Sequence, residues 1–102
     1  MNKNIQSQVY KILYQVLADA KTEVDIELIM KALMSEAEVM AIAKRLAIAV
    51  FLDKGQSYEH IRETLKVSSA TIANVAEGMN KGCVEYPIVE GVGKIDEIGL
   101  VY

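Results

Sequence analysis

Apolar residues recur along the chain at the three- and four-residue spacing of helices, in five successive runs. Ile5, Val9, Ile12, Leu13, Val16 and Leu17 form a stripe on a helix predicted over residues 4–18, with Tyr10 and Tyr14 beside it one turn apart. After a break at Asp19 and Ala20, Thr22 and Asp25 have the layout of a capping box for a second helix over 23–34. Its residues Val24, Ile26, Leu28, Ile29, Met30, Ala32 and Leu33 cover most of the helix circumference. One neighbouring helix does not bury such a surface, and in a chain this short the extra cover is expected from a second subunit. Ser35 and Glu38 form a clearer capping box for a third helix, which should reach Lys54 and stop at Gly55. Val39, Ile42, Ala43, Leu46, Val50 and Phe51 are its expected buried side, broadened by Met40, Ala47 and Ile48.

The pattern then shortens. In residues 57–76, SYEHIRETLKVSSATIANVA, Ile61 and Leu65 give one short helix a buried edge. Ile72 and Val75, prolonged by Met79, do the same for a second, and Val67 plugs the corner between them. Ser57 and Ser68 stand where each helix needs an N-cap. Helices over 58–65 and 69–80 across so short a turn make a helix-turn-helix, whose second helix can enter a DNA major groove. Two positions depart from the usual pattern. Arg62 stands where a small residue commonly allows close helix approach, and Lys66 occupies the turn position where Gly supplies positive φ. A non-Gly residue there costs roughly 1–2 kcal/mol. An ordinary α-hairpin in a helical bundle is the alternative.

Gly78 and Gly82 suggest fraying after Glu77, and from Gly82 onward the texture changes. CVEYPIVEGVGKIDEIGLVY is rich in glycine and β-branched residues. It fits either a hairpin of 84–89 with 94–101, Pro87 confining its strand to an edge, or an arm lying extended on a partner subunit. The expected division is a helical domain over 1–82, with the helix-turn-helix at 57–80, and a C-terminal arm over 83–102.

Composition changes this picture little. A chain of 102 residues with 52% apolar and 6% aromatic content and one proline reads as a single helical globular domain. Cys83 is the one cysteine, which excludes an internal disulfide, and no CxxC or His/Cys cluster offers a metal site. Neither a signal-peptide layout nor a membrane-length apolar run is present, so a cytoplasmic protein is expected. Charge is more telling. The net charge is −3, yet residues 44–81 carry six basic against four acidic side chains, and the segments on either side are both net acidic. Residues 44–81, which contain the helix-turn-helix, are the only electropositive part of the chain, a bias that implies weak, salt-sensitive nonspecific attraction to DNA.

Residues 32–82, and within them LMSEAE, KRLAIAVFLDKGQSYEHI and the ATI that opens the last helix, resemble the tryptophan repressor superfamily. The likeness is greatest to the bacterial Trp-repressor-related branch labelled YerC/YecD. It implies an all-α, intertwined homodimer whose N-terminal helices interlock and whose two helix-turn-helix units read operator half-sites. By position, it implies base contacts from Ser69, Ala70, Thr71 and Ala73 and a phosphate contact from Arg62. The effector pocket carries over in part: Arg45 matches one of the two arginines that sandwich the indole ring, but Asn74 replaces the second and Gly78 a polar neighbour. Asn offers neither guanidinium plane nor charge, which argues against tryptophan as the ligand. Arg45 has Ala41, Ile42, Ile48 and Ala49 as its helical neighbours, hence no carboxylate on its own helix. A small anion, another helix or the other subunit must pair with it, unless it simply faces solvent. An effector site would draw on Arg45, Ser35 and Asn74.

The last helix sets the chemistry. Ile72, Val75, Ala76 and Met79 face inward, leaving Ala70, Ala73, Asn74 and Glu77 outward with Ser69 and Thr71 on the flanks. Asn74 suits adenine N6/N7, Thr71 a thymine methyl, and the alanines close approach. No Lys or Arg lies between Ser68 and Asn80, so guanine is not read in bidentate fashion from this helix. Water-mediated and shape-based recognition is expected to contribute. Arg62, Lys66, Lys54 and Lys81 are the candidates for phosphate, and Ser68 flanks the interface. His60 is expected on the exposed side of its helix, Cys83 to be inert, and Met30, Met34, Met40 and Met79 to fill the core. No nucleophile–base pair, carboxylate dyad or phosphate loop is present, which argues against an enzyme, and no cofactor is implied beyond a small-molecule effector. Two readings stand: a homodimeric regulator that binds double-stranded DNA, and a module that uses the helix-turn-helix and the C-terminal arm to bind another protein.

Overall fold

A computed structural model describes residues 1–80, and the expectations for the C-terminal hairpin or arm, Lys81 and Cys83 lie outside them. The described residues form five helices: α1 (Lys3–Asp19), α2 (Glu23–Leu33), α3 (Glu36–Asp53), α4 (Tyr58–Leu65) and α5 (Ser69–Asn80). This is the all-α class expected from the periodicity. The chain divides into two compact units, residues 1–39 and residues from 40 onward.

In the N-terminal unit the helix starts are set by side chains. Asn2 Oδ1 accepts the Ile5 N–H at 2.9 Å, and Thr22 Oγ1 accepts the Asp25 N–H at 3.1 Å. The Ser35–Glu38 capping box is closed in both directions: Glu38 N–H donates to Ser35 Oγ at 3.2 Å and Ser35 N–H donates to Glu38 Oε1 at 2.9 Å. Each bond satisfies a donor that the first helical turn leaves without an intrahelical acceptor. Tyr10 and Tyr14 stack with ring centroids 6.1 Å apart and planes inclined by 9°. Neither α1 nor α2 contains a buried residue, and Ile12, Val24, Leu28 and Leu33 are each more than 60% exposed.

In the second unit the end of α3 lies against α4 and α5. Ile48, Phe51, Ile61 and Ile72 form the core, with Leu52, Leu65, Val67 and Val75 packed against it. Ala49 and Val50 are buried as well, so four consecutive residues of α3 are enclosed. This differs from the stripe expected for α3. Met40, Ile42, Ala43 and Leu46 are exposed, while Ile48 and Ala49, one marginal and one unassigned in that stripe, are buried. The short α4 and α5 can cover only the last turns of an eighteen-residue helix. Gly55 ends α3 as anticipated. At φ +76° its N–H reaches Leu52 O at 3.0 Å and the following Gln56 N–H reaches Phe51 O at 3.0 Å, the paired bonds of a Schellman stop. Helix α5 continues through Gly78 to Asn80 rather than fraying after Glu77.

Candidate nucleic-acid interface

The site is built on α4, the turn after it and α5. Ser57 Oγ accepts the His60 N–H at 3.1 Å and starts α4. Lys66 ends it in the left-handed region, φ 56° and ψ 53°, with its N–H on Arg62 O at 2.9 Å. The lysine therefore adopts the conformation for which this turn ordinarily uses Gly, and the chain bends sharply enough for half-buried Val67 to reach the core. Ser68 then caps α5: its Oγ accepts the Thr71 N–H at 3.1 Å and lies 2.9 Å from Thr71 Oγ1.

These caps decide which polar groups are left for a ligand. Ser68 and Thr71 hydroxyls are bonded to each other, and Thr71 is half-buried. Ser69, Ala70, Ala73 and Asn74 are exposed on the first two turns of α5, opposite buried Ile72 and half-buried Val75, Ala76 and Met79. Arg62 and Lys66 are exposed at the end of α4. The predicted DNA-binding residues thus fall on the end of α4, the turn after it and the first two turns of the capped α5. The free N–H groups and dipole at the start of α5 favour a nearby phosphate. Glu59 and Glu63 on α4 and Glu77 on α5 are also exposed, so α4, the turn and α5 by themselves carry three acids against two cations, and any positive bias must come from outside the motif.

The three residues expected at an effector site lie on different elements. Ser35 belongs to the N-terminal unit, where its hydroxyl caps α3, whereas Arg45 is exposed on α3 and Asn74 is exposed on α5.

His60 corrects the sequence reading. Its ring stacks on Phe51, centroids 5.9 Å apart and planes inclined by 19°, and its Nε2 is buried without a hydrogen-bond partner among the described residues. The side chain is half-buried rather than outward, because Phe51 fills the space beside α4 that a helical wheel of α4 alone leaves open. Its place next to Ile61, on the flank of the buried edge, was the one available signal. Among the described residues no cluster of His, Cys, Asp or Glu could hold a metal ion, and no helix is long and apolar enough to cross a membrane.

A family model described as Trp repressor protein matches residues 8–89, which include the whole helix-turn-helix and most of the chain. The chain belongs to the Trp repressor family. No curated protein and no solved structure gives a significant match to it. Trp repressor proteins are helix-turn-helix DNA-binding regulators rather than enzymes, and α4 and α5 supply that motif here.

Proposed function

We propose that this protein is a sequence-specific transcriptional repressor of the Trp-repressor-related, YerC/YecD-like type, which binds double-stranded DNA in the cytoplasm as a homodimer. The observation that carries the reading is the exposed row Ser69, Ala70, Ala73 and Asn74 on a capped second helix, held by the left-handed turn at Lys66. Small residues let the helix backbone approach base edges, and Arg62 and Lys66 beside it suit phosphate. Dimerisation is supported by the apolar surface that the chain alone leaves open on α1, α2 and the first half of α3. Two such subunits would present α5 to successive major grooves about 34–36 Å apart, on a pseudo-palindromic operator. The helical domain over 1–82 would perform this task.

The test is a duplex titration at several salt concentrations. The expected result is tight, salt-dependent binding to a minority of sequences. Equal affinity for every duplex, or no binding at low salt, overturns the reading. Arg62→Ala should weaken all duplexes alike and reduce the salt slope by about 1.

A second reading, a protein-interaction module, is favoured by the absence of Lys and Arg from α5 and by Glu77 on its outer face. Retention of a defined protein partner from nuclease-treated lysate, without DNA, would support it. A small-molecule effector at Arg45 is compatible with either reading. The Asn at position 74 argues against tryptophan, and a thermal-shift screen of small anions would reveal a ligand.

A further inference from the structure

We propose that α5 reads A·T base pairs in the major groove, with the Asn74 amide on adenine and the Ala70 and Ala73 methyl groups against thymine methyls. The inference rests on the DNA-binding reading above and adds the base class that the site accepts. It follows from elimination among the groups that α5 exposes. Guanine is most often recognised by Arg or Lys on O6 and N7, and no residue from Ser69 to Asn80 is a cation. Cytosine N4 is characteristically read by a carboxylate acceptor. Glu77, the one acid on α5, lies on its third turn and already has a partner. Base contacts in a helix-turn-helix come from the start of the second helix. Two hydroxyls near that start are occupied, since Ser68 and Thr71 bond each other in the cap. Ser69 keeps its hydroxyl, but a hydroxyl both donates and accepts and does not distinguish bases.

On the first two turns, what remains is one carboxamide, Asn74, and two methyl groups, all exposed; the other carboxamide of α5, Asn80, lies at its far end. Adenine alone engages both ends of a carboxamide at once: Oδ1 accepts from N6–H and Nδ2 donates to N7. Ala70 lies one turn before Asn74 on nearly the same line of the helix, and Ala73 lies about 100° from it on the same outer face. One turn is about 5.4 Å of rise, between one and two base-pair steps of roughly 3.4 Å, so the methyls meet pairs next to the one that Asn74 holds. Thymine C5-methyl groups are the apolar feature of the major groove, and short alanine side chains can touch them without pushing the helix out. The same surface excludes G·C by leaving its exocyclic groups unpaired.

The full-length chain, in its solution oligomer, is used to select duplexes from a randomised pool at low salt. The selected duplex is then remade with 7-deazaadenine for adenine, which removes N7, and with uracil for thymine, which removes only the methyl. The expected result is an A·T pair at equivalent places in both half-sites. 7-Deazaadenine at one of them should weaken binding about five- to hundredfold, and uracil at its neighbours by a smaller factor. Asn74→Ala, a change at an exposed position, should remove the sensitivity to 7-deazaadenine and leave that to uracil. G·C pairs enriched at those places overturn the proposal while leaving the regulator reading intact. A·T enrichment indifferent to both replacements also overturns it, because the preference would then come from groove shape. Failure to enrich any duplex overturns the regulator reading and this one with it.

Discussion

Ile12, Val24, Leu28 and Leu33 in the N-terminal unit and Ile48, Ile61 and Ile72 in the second are chemically alike, yet the first four are more than 60% exposed and the last three 0%. Both units are built from helices with side-chain caps, so local helix formation does not separate them. The difference lies in what the chain folds back upon. Gly55 and Lys66, both at positive φ, turn the chain twice within a dozen residues, and the short α4 and α5 close around Phe51. Helices α1 and α2 gain no buried residue in this way. An apolar stripe left in water forgoes about 1.5–3 kcal/mol per large side chain. The second unit therefore carries its own stability, whereas the first depends on whatever covers it, which we propose is a second copy.

The largest expected effect is a charge on the open stripe. Ile12→Asp should leave the helix-turn-helix intact but cost roughly 3–5 kcal/mol per buried, unpaired carboxylate in the assembled form. Sedimentation should show a shift toward monomer of about a thousandfold or more in dissociation constant. Unchanged assembly would mean that the two units are alike after all, with the stripe of α1 merely solvated.

A core truncation in the second unit tests the other side. Ile61 is fully enclosed by Ile48, Phe51 and Ile72, so Ile61→Ala should lower stability by about 2–5 kcal/mol in urea unfolding. It should do so with little change in the dimerisation constant measured below the unfolding transition. A change in assembly as large as the change in stability would show that the units do not behave separately.

These two sites also mark how far the fold could be read from residues alone. Periodicity and caps were enough for helix limits: α4 and α5 lie where expected, α2 and α3 differ by a residue at one end, and α1 by a residue at each end. The stop at Gly55 and the strained turn at Lys66 were legible because each relies on a local backbone property. Which apolar residues are covered was not legible. A stripe through Ile42 and Leu46 looks the same in sequence whether its cover comes from the same chain or another, and among the described residues the buried part of α3 is Ile48 to Phe51. His60 was misplaced for a related reason, since its contact is with Phe51 on a different helix. At the candidate interface, the outward row of α5 followed from the wheel. The engagement of Thr71 with Ser68 did not, because a hydroxyl can serve a cap or a ligand equally well.

A smaller effect concerns the turn that lets the second unit close. At φ 56° Lys66 bears a penalty of roughly 1–2 kcal/mol, which Gly would relieve at an entropic cost of about 0.5–1 kcal/mol. Lys66→Gly should therefore raise stability by about 0.5–1 kcal/mol, visible as a higher melting temperature, whereas Lys66→Ala should gain nothing. Loss of the cation should weaken DNA binding at low salt more than at high salt. A fall in melting temperature for the Gly variant would show that the lysine side chain contributes more than its backbone strain costs.

The smallest effect lies at the start of α3, the helix that runs from one unit into the other. Glu38 accepts the Ser35 N–H and reciprocates the Ser35 hydroxyl, and these bonds hold its carboxyl below the ordinary value of 4.5. A carboxyl with a depressed folded-state value stabilises the fold above its unfolded value, and that contribution disappears as pH falls through the folded one. The cap should thus be intact at neutral pH and weaken only below about pH 4.5. Nuclear magnetic resonance titration of the Glu38 carboxyl should give a midpoint under 4.5, and Glu38→Gln should flatten the acid limb of the stability profile. Because the residue is exposed, high salt should move the midpoint only modestly: the cause is a hydrogen bond to a fixed backbone donor, not a distant charge. A midpoint at or above the ordinary value would mean that the box is open in solution and that α3 begins later, which would place still more apolar surface among the residues that the chain does not cover itself.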